Sequence, residues 1–398
     1  MTAWAVVGFA TLIGVFAAWT LGANSNSPPF APAIGASAIS TMRAAFLIGL
    51  LAGAGALLQG GSISKTIGTG LFDALAFSPL AATAGLLVAG SFMAVGIFAG
   101  YPVPAAFATT GAMVGVGLSL GGSPNLTTLR GIGTFWVLVP PVSGGLAYLT
   151  ATLLRRDDIA DTVSIPLLAG VVAAVLANIE LGVIPGPPAV SQNSIARFLG
   201  WVLPTPEIAG IDPVIVLTTI AFGVVGFAFI RRRTQQSVER GVRTFLILLG
   251  SVVAFSSGGS QVGLATGPLE HLYGVELGLP GIVLLAVGAS GILAGAWMGS
   301  PRLLQATSRE YAQLGSRRSI AALVPGFLIA QAAIALGIPI SFNNIIISGV
   351  IGGGLAAGSA GVSRRKIGVT VGFWLLTLVA SVATGYGANT ALHAIFGA

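Results

Sequence analysis

Charge-free stretches dominate this chain, and they limit what it can fold into. Most of the sequence falls into apolar runs of roughly 17 to 25 residues, the length an α-helix needs to cross a hydrocarbon layer about 30 Å thick. The runs are uniformly apolar and do not alternate, unlike the strands of a transmembrane barrel. Only 7% of the 398 residues are charged, where a soluble domain carries roughly a quarter. The sequence therefore specifies an all-α polytopic protein of the lipid bilayer, with about 10–12 transmembrane segments expected.

Glycine is abundant, at 58 residues. Lipid gives helices no hydrophobic reason to associate, so close contact through small residues has to pack them. The absence of cysteine excludes disulfides and thiolate chemistry. His271 and His393 are far apart and form no HExxH-like pair, so neither a metal site nor a cofactor is expected. No nucleophile–base pattern points to an enzyme. The opening residues MTAWAVVGFA lack a basic stretch and a clear cleavage site, and read as the first span.

The net charge of +7 is explained by position. Basic residues cluster at Arg155-Arg156, Arg231 to Arg243, Arg302 to Arg318, and Arg364-Arg365-Lys366. Each cluster lies in a short segment between apolar runs, read as a cytoplasmic loop of a plasma-membrane protein under the positive-inside rule. That reading leaves no role for nucleic acid. Two spans, roughly 164–184 and 212–230, lie between the first two clusters. The Pro-rich segment PGPPAVSQNSIARFLGWVLPTPE joins them on the opposite side.

The remainder divides into two halves with one order of features. A first repeat (1–155) and a second (241–398) flank a connector (156–240) that carries two spans and the loop RRRTQQSVERGVR. Each half opens on an apolar run and then a polar interruption, GANSNSPPFAPAIG in the first and SSGGSQVGLATGPLEHLYG in the second. A second Gly-rich or polar element follows, QGGSISKTIGTG and then GSPRLLQATSREY. Next come the Pro-initiated segments YPVPAAFATTGAMVGVGLSLGG and GIPISFNNIIISGVIGGGLAAG, and finally a span containing Trp. Paired discontinuous helices of this kind are the mark of transporters built from inverted-topology repeats. Non-helical backbone at membrane depth is tolerated where protein or a water-filled cavity satisfies it. A broken helix also points backbone N–H groups and a positive dipole end at an anion.

These residues resemble the inorganic phosphate transporter (PiT) family, whose repeats each carry a GANDxAN motif. The copies here are Gly22-Ala23-Asn24-Ser25-Asn26-Ser27-Pro28 and Gly258-Gly259-Ser260-Gln261-Val262-Gly263-Leu264, the second followed by Gly267-Pro268-Leu269. The family's acidic residue falls on Ser25 and Gln261. GGSISKT, with Lys65 and Thr66, is similar to a segment of the family's sulfate-permease branch.

The resemblance implies a secondary active transporter for a tetrahedral oxyanion, working by alternating access. Sulfate is placed ahead of phosphate because both motif acids are absent and Lys65 is present. The substrate would be held by Asn24, Ser25, Asn26, Ser27, Lys65, Thr66, Gly258, Gly259, Ser260 and Gln261. Ser341, Asn343 and Asn344 either line the same path or cap a helix and bond between helices. Lys65 is either a ligand or a snorkelling residue. Coupling is expected to be to H+, with Na+ as the other candidate. Glu270 and His271 are either a proton relay or an interfacial capping pair. A passive anion channel or exchanger is the competing class, and a homodimer is the expected assembly.

Overall fold

A computed structural model describes residues 3–25, 28–99, 103–156, 158–187, 193–301, 303–305, 315–356 and 364–396. Among the described residues, nine helices are long and apolar enough to cross a membrane, and three shorter apolar helices accompany them. The polytopic all-α architecture expected from the sequence is what is observed.

The first half contains α1 (Ala3–Ser25), the turns α2 (Ala31–Gly35) and α4 (Gly61–Lys65), α3 (Thr41–Gln59), α5 (Pro79–Ala99), α6 (Ala105–Ser119) and α7 (Leu126–Leu153). The connector holds α8 (Asp161–Leu176), α9 (Ile195–Val202) and α10 (Pro213–Gln236). The second half holds α11 (Val238–Thr266), α12 (Gly281–Met298), α13 (Ser316–Ala335), α14 (Phe342–Leu355) and α15 (Arg364–Phe396).

Packing repeats between the halves, each time with partners exchanged. Helix α1 packs on α12, and α11 packs on α3. Likewise α6 lies against α15, and α14 against α7. Glycines make the first pair of contacts possible. A Cβ at Gly22 would fall on the Ile292 carbonyl, and one at Gly295 on the Trp19 carbonyl. In the other pair, Gly258 faces the Ala52 carbonyl and Gly55 the Phe255 carbonyl in the same register. Backbones can approach this closely only without side chains between them.

Helices α6 and α14 both begin inside the bundle and leave it in opposite directions. The far end of α6 reaches the edge where Gly117 and Gly122 meet Phe72, beside the small hairpin Phe72–Asp73 with Ser123–Pro124. The far end of α14 reaches the basic cluster of Arg155, which donates to the Ala356 carbonyl. Two half-length helices with inner starts and opposite exits are the inverted arrangement that the repeats predict.

Three sequence expectations need correction. The polar stretch 256–266 does not interrupt its helix, because α11 runs unbroken to Thr266. Its glycines are satisfied by packing on Ala52 and Gln59, and the break falls at the 3₁₀ turn Gly267–Leu269. In the first half, too, the helix carries the motif through Ser25 and breaks after it. The connector's basic "loop" is nearly all helix. Helix α10 continues to Gln236, with Arg231 and Arg233 over the rings of Phe227 and Phe229, and α11 starts at Val238. Arginine is a good helix former, and Ser237 caps the restart by accepting from the Arg240 N–H.

Of the two connector spans, the one expected at 212–230 is α10. The one expected at 164–184 is the 16-residue α8, which ends at Leu176 and belongs to the three shorter apolar helices; α8 packs closely on α10. Arg317 pairs with Asp161, and Arg243 donates to the Ala38 carbonyl at 3.0 Å. With the Arg155–Ala356 contact, each of these three basic clusters is tied to a distant part of the chain. The 306–314 stretch and the side chains of Arg364, Arg365 and Lys366 lie outside the described residues.

Candidate anion site

The chain turns inward twice to build the site. After α13, Gly337 adopts φ +64°, and its N–H donates to the Ile334 carbonyl while that of Ile338 donates to Ala333. This closes the helix in a Schellman turn and sends Pro339–Ser341 back into the bundle in extended form. In the first half, Val103 and Pro104 precede α6, and a proline forces its predecessor out of the helical region. Each extended segment therefore delivers a helix start to the interior.

One residue, Val103, joins the two starts. The Asn24 amide donates to the Val103 carbonyl at 2.8 Å and accepts from the Val103 N–H at 3.0 Å. Asn343, in the first turn of α14, donates to the same carbonyl at 3.0 Å. Gln261 donates to the Ile340 carbonyl at 3.4 Å, one residue before the cap position Ser341. Ser25 accepts from the Asn24 amide, and its carbonyl accepts from the Ser257 hydroxyl.

Asn24, Ser25, Ser260, Gln261, Ser341, Asn343 and Asn344 are all no more than 2% exposed. Several polar atoms here have no partner among the described residues: the hydroxyls of Ser260, Ser341, Thr109 and Thr110, and the amide oxygens of Gln261, Asn343 and Asn344. Ser341 occupies the N-cap position of α14 but makes no capping bond. Buried polar groups in folded proteins are nearly always paired, so this concentration makes the place the candidate site for a polar ligand. The groups are uncharged, and two helix N-termini supply positive potential.

The other expected ligands lie elsewhere. Gly258 and Gly259 act as packing surfaces against Ala52 and Gln59. Lys65 is exposed, and Thr66 is half-buried against the Gly337 turn. Both belong to the margin of the bundle, not to the buried centre, because α4 and the π turn Thr66–Gly70 follow the end of α3. Glu270 lies beyond α11 with a carboxylate oxygen against Gly68 and the Lys65 charge nearby, and His271 is half-buried beside it. Asn26 and Ser27 lie outside the described residues.

Two groups near the centre were not expected from the sequence as ligands. Thr109 and Thr110, one turn further along α6, carry buried hydroxyls without a partner among the described residues. Gln59 donates to Gln331 at 2.9 Å, and Gln331 donates in turn to Ser256, forming a buried chain across both halves. A lone amide at the end of an apolar run was the available signal for Gln59.

Inverted halves that meet at a buried, uncharged polar centre define a carrier of the inverted-repeat class. The chain belongs to the phosphate transporter family, whose pattern matches residues 21–385. It is a transporter by family and not an enzyme. Its relatives include the inorganic phosphate transporter 2-1, chloroplastic, of Arabidopsis thaliana, 27% identical, with 94% of this chain and 70% of that one covered. A candidate phosphate permease of Chlamydia pneumoniae is 25% identical, with 98% of each chain covered. One from Pyrococcus furiosus is 26% identical over 93% of this chain and 92% of its own. A solved structure described as the sodium-dependent phosphate transporter has the same fold, with a TM-score of 0.80 and 23% identity, over 98% of this chain and 100% of that one.

Proposed function

We propose that the chain is a permease for inorganic phosphate, with 1–155 and 241–398 as the two repeats that move against each other around the site. The observation that carries this reading is the pair of opposed helix starts joined through Val103 among buried, unpartnered hydroxyls and amides. Hydroxyl donors and helix N-termini in a buried centre suit a tetrahedral oxyanion. Family membership and the descriptions of the relatives favour phosphate over the sulfate first expected from the sequence. Lys65 is exposed and so lends the sulfate alternative no support.

Bringing a dianion into a negative-inside compartment costs about 2.3 kcal/mol per charge per 100 mV, so accumulation needs a co-transported cation. The solved neighbour, described as sodium-dependent, makes Na+ the first ion to test. H+ is the second, because Ser25 and Gln261 stand at the motif's acidic positions. The basic clusters of Arg155, Arg243 and Arg317 lie on the cytoplasmic side under this proposal.

The test is uptake of labelled phosphate by the purified protein in proteoliposomes under an imposed Na+ gradient and, separately, a pH gradient. Concentrative phosphate uptake driven by either gradient, with sulfate a weak competitor, is the expected result. Sulfate uptake that phosphate displaces poorly would reverse the substrate, and phosphate flux indifferent to both gradients would make this a passive pathway.

A further inference from the structure

The amide oxygens at the centre are oriented, and their orientation has a chemical meaning. Asn343 spends its N–H₂ on the Val103 carbonyl and Gln261 on the Ile340 carbonyl. An amide whose nitrogen is held on a carbonyl must present its oxygen elsewhere. Those oxygens, Asn343 Oδ1 and Gln261 Oε1, are buried and have no partner among the described residues. The residues carrying them are 1% and 0% exposed. Asn344 Oδ1, on the same helical turn, is in the same condition. The centre thus holds acceptors as well as donors, and an acceptor gains nothing from a ligand made only of anionic oxygens.

We propose that the amide oxygen of Gln261 or of Asn343 accepts the single P–OH hydrogen of monohydrogen phosphate, and so selects a protonated tetrahedral dianion over an unprotonated one of equal charge. The inference rests on the phosphate reading above and assigns its selectivity to particular atoms. Hydroxyls of Ser260 and Ser341 donate to the charged oxygens, while one of the two amides takes the one hydrogen that phosphate offers. Sulfate has the same shape and charge but offers none, and leaves that acceptor buried and unpaired. Neutral acceptors perform this task without placing a carboxylate beside a dianion, a repulsion that the absence of the motif acids avoids. A site built to bond a ligand's hydroxyl discriminates strongly against the analogue lacking it.

Monofluorophosphate dianion is the informative probe, because it replaces the P–OH with P–F and keeps shape and charge. Inhibition of labelled phosphate uptake by phosphate, monofluorophosphate and sulfate is measured in proteoliposomes at mildly alkaline pH. Phosphate is expected to compete better than both analogues by about tenfold or more. Gln261→Met and Asn343→Met are then compared by the ratio of phosphate to monofluorophosphate affinity, a quantity that general loss of folded protein does not change. Narrowing of that ratio in either variant supports the assignment. Equal competition by monofluorophosphate in the unmodified protein overturns it while leaving the permease reading in place, as does an unchanged ratio in both variants. Absence of phosphate uptake altogether, with the protein folded and inserted, overturns the permease reading itself.

Discussion

The starts of α6 and α14 occupy equivalent places in the two halves and have opposite chemistries. The first turn of α6 offers Ala105, Ala106 and Phe107, and the polar work there is done from a distance, by Asn24 gripping Val103 on both sides. The first turn of α14 carries Ser341, Asn343 and Asn344, whose oxygens are free among the described residues. Packing around them is nonetheless duplicated, glycine for glycine. The frame is duplicated while its chemistry is divided: Asn24 fixes Val103 in one half, and the other carries buried side-chain oxygens without a partner among the described residues.

The sharpest way to break this comparison is at Asn24. Asn24→Leu leaves the N–H and C=O of Val103 buried without that partner, a loss of about 2–4 kcal/mol. Thermal unfolding in detergent should fall clearly, and uptake should be abolished. Near-normal stability would remove Asn24 from its positioning role. Next in size are Gly22→Ala and Gly258→Ala, each forcing a methyl group onto a carbonyl at a cost of about 1–3 kcal/mol. Because the frame is duplicated, their melting temperatures should drop by similar amounts; a large inequality would show that the halves are not packed alike.

Ser260→Ala and Ser341→Ala remove hydroxyls with no partner among the described residues, so stability should hardly change. The KM for phosphate should rise about tenfold, and a change in stability without a change in KM would mark those hydroxyls as structural. Lys65→Gln is the smallest. An exposed cation contributes little to stability, within about 0.5 kcal/mol, and phosphate affinity should stay within about twofold. A larger loss of affinity would return Lys65 to the site.

The membrane class, the paired halves and the Pro-initiated segments were legible because each rests on local pattern, apolar length and repeated order, whereas the inward turn of those segments emerged only in the fold. Asn24, Ser260, Gln261 and the PISFNN cluster could be picked out as polar residues in apolar surroundings. Their partners could not, since Asn24 and Val103 are far apart in sequence and meet only through the fold. The continuity of α11 through Ser256–Thr266 was hidden for a related reason. Glycine and serine read locally as breakers, and only the faces of Ala52 and Gln59 make them good packing residues. Lys65 misled because rarity in an apolar chain says nothing about which way a side chain faces.

Val103 has a kinetic consequence. Its carbonyl accepts from Asn24 of its own half and from Asn343 of the other, so movement that parts the halves there must release Asn343 while Asn24 keeps its hold. Without cargo, that step strips one buried bond and offers nothing in return, whereas a bound oxyanion can take the freed amide hydrogen. Under the proposed carrier cycle the unloaded return is the step expected to be slow, and phosphate-for-phosphate exchange should outrun net uptake in the same vesicles.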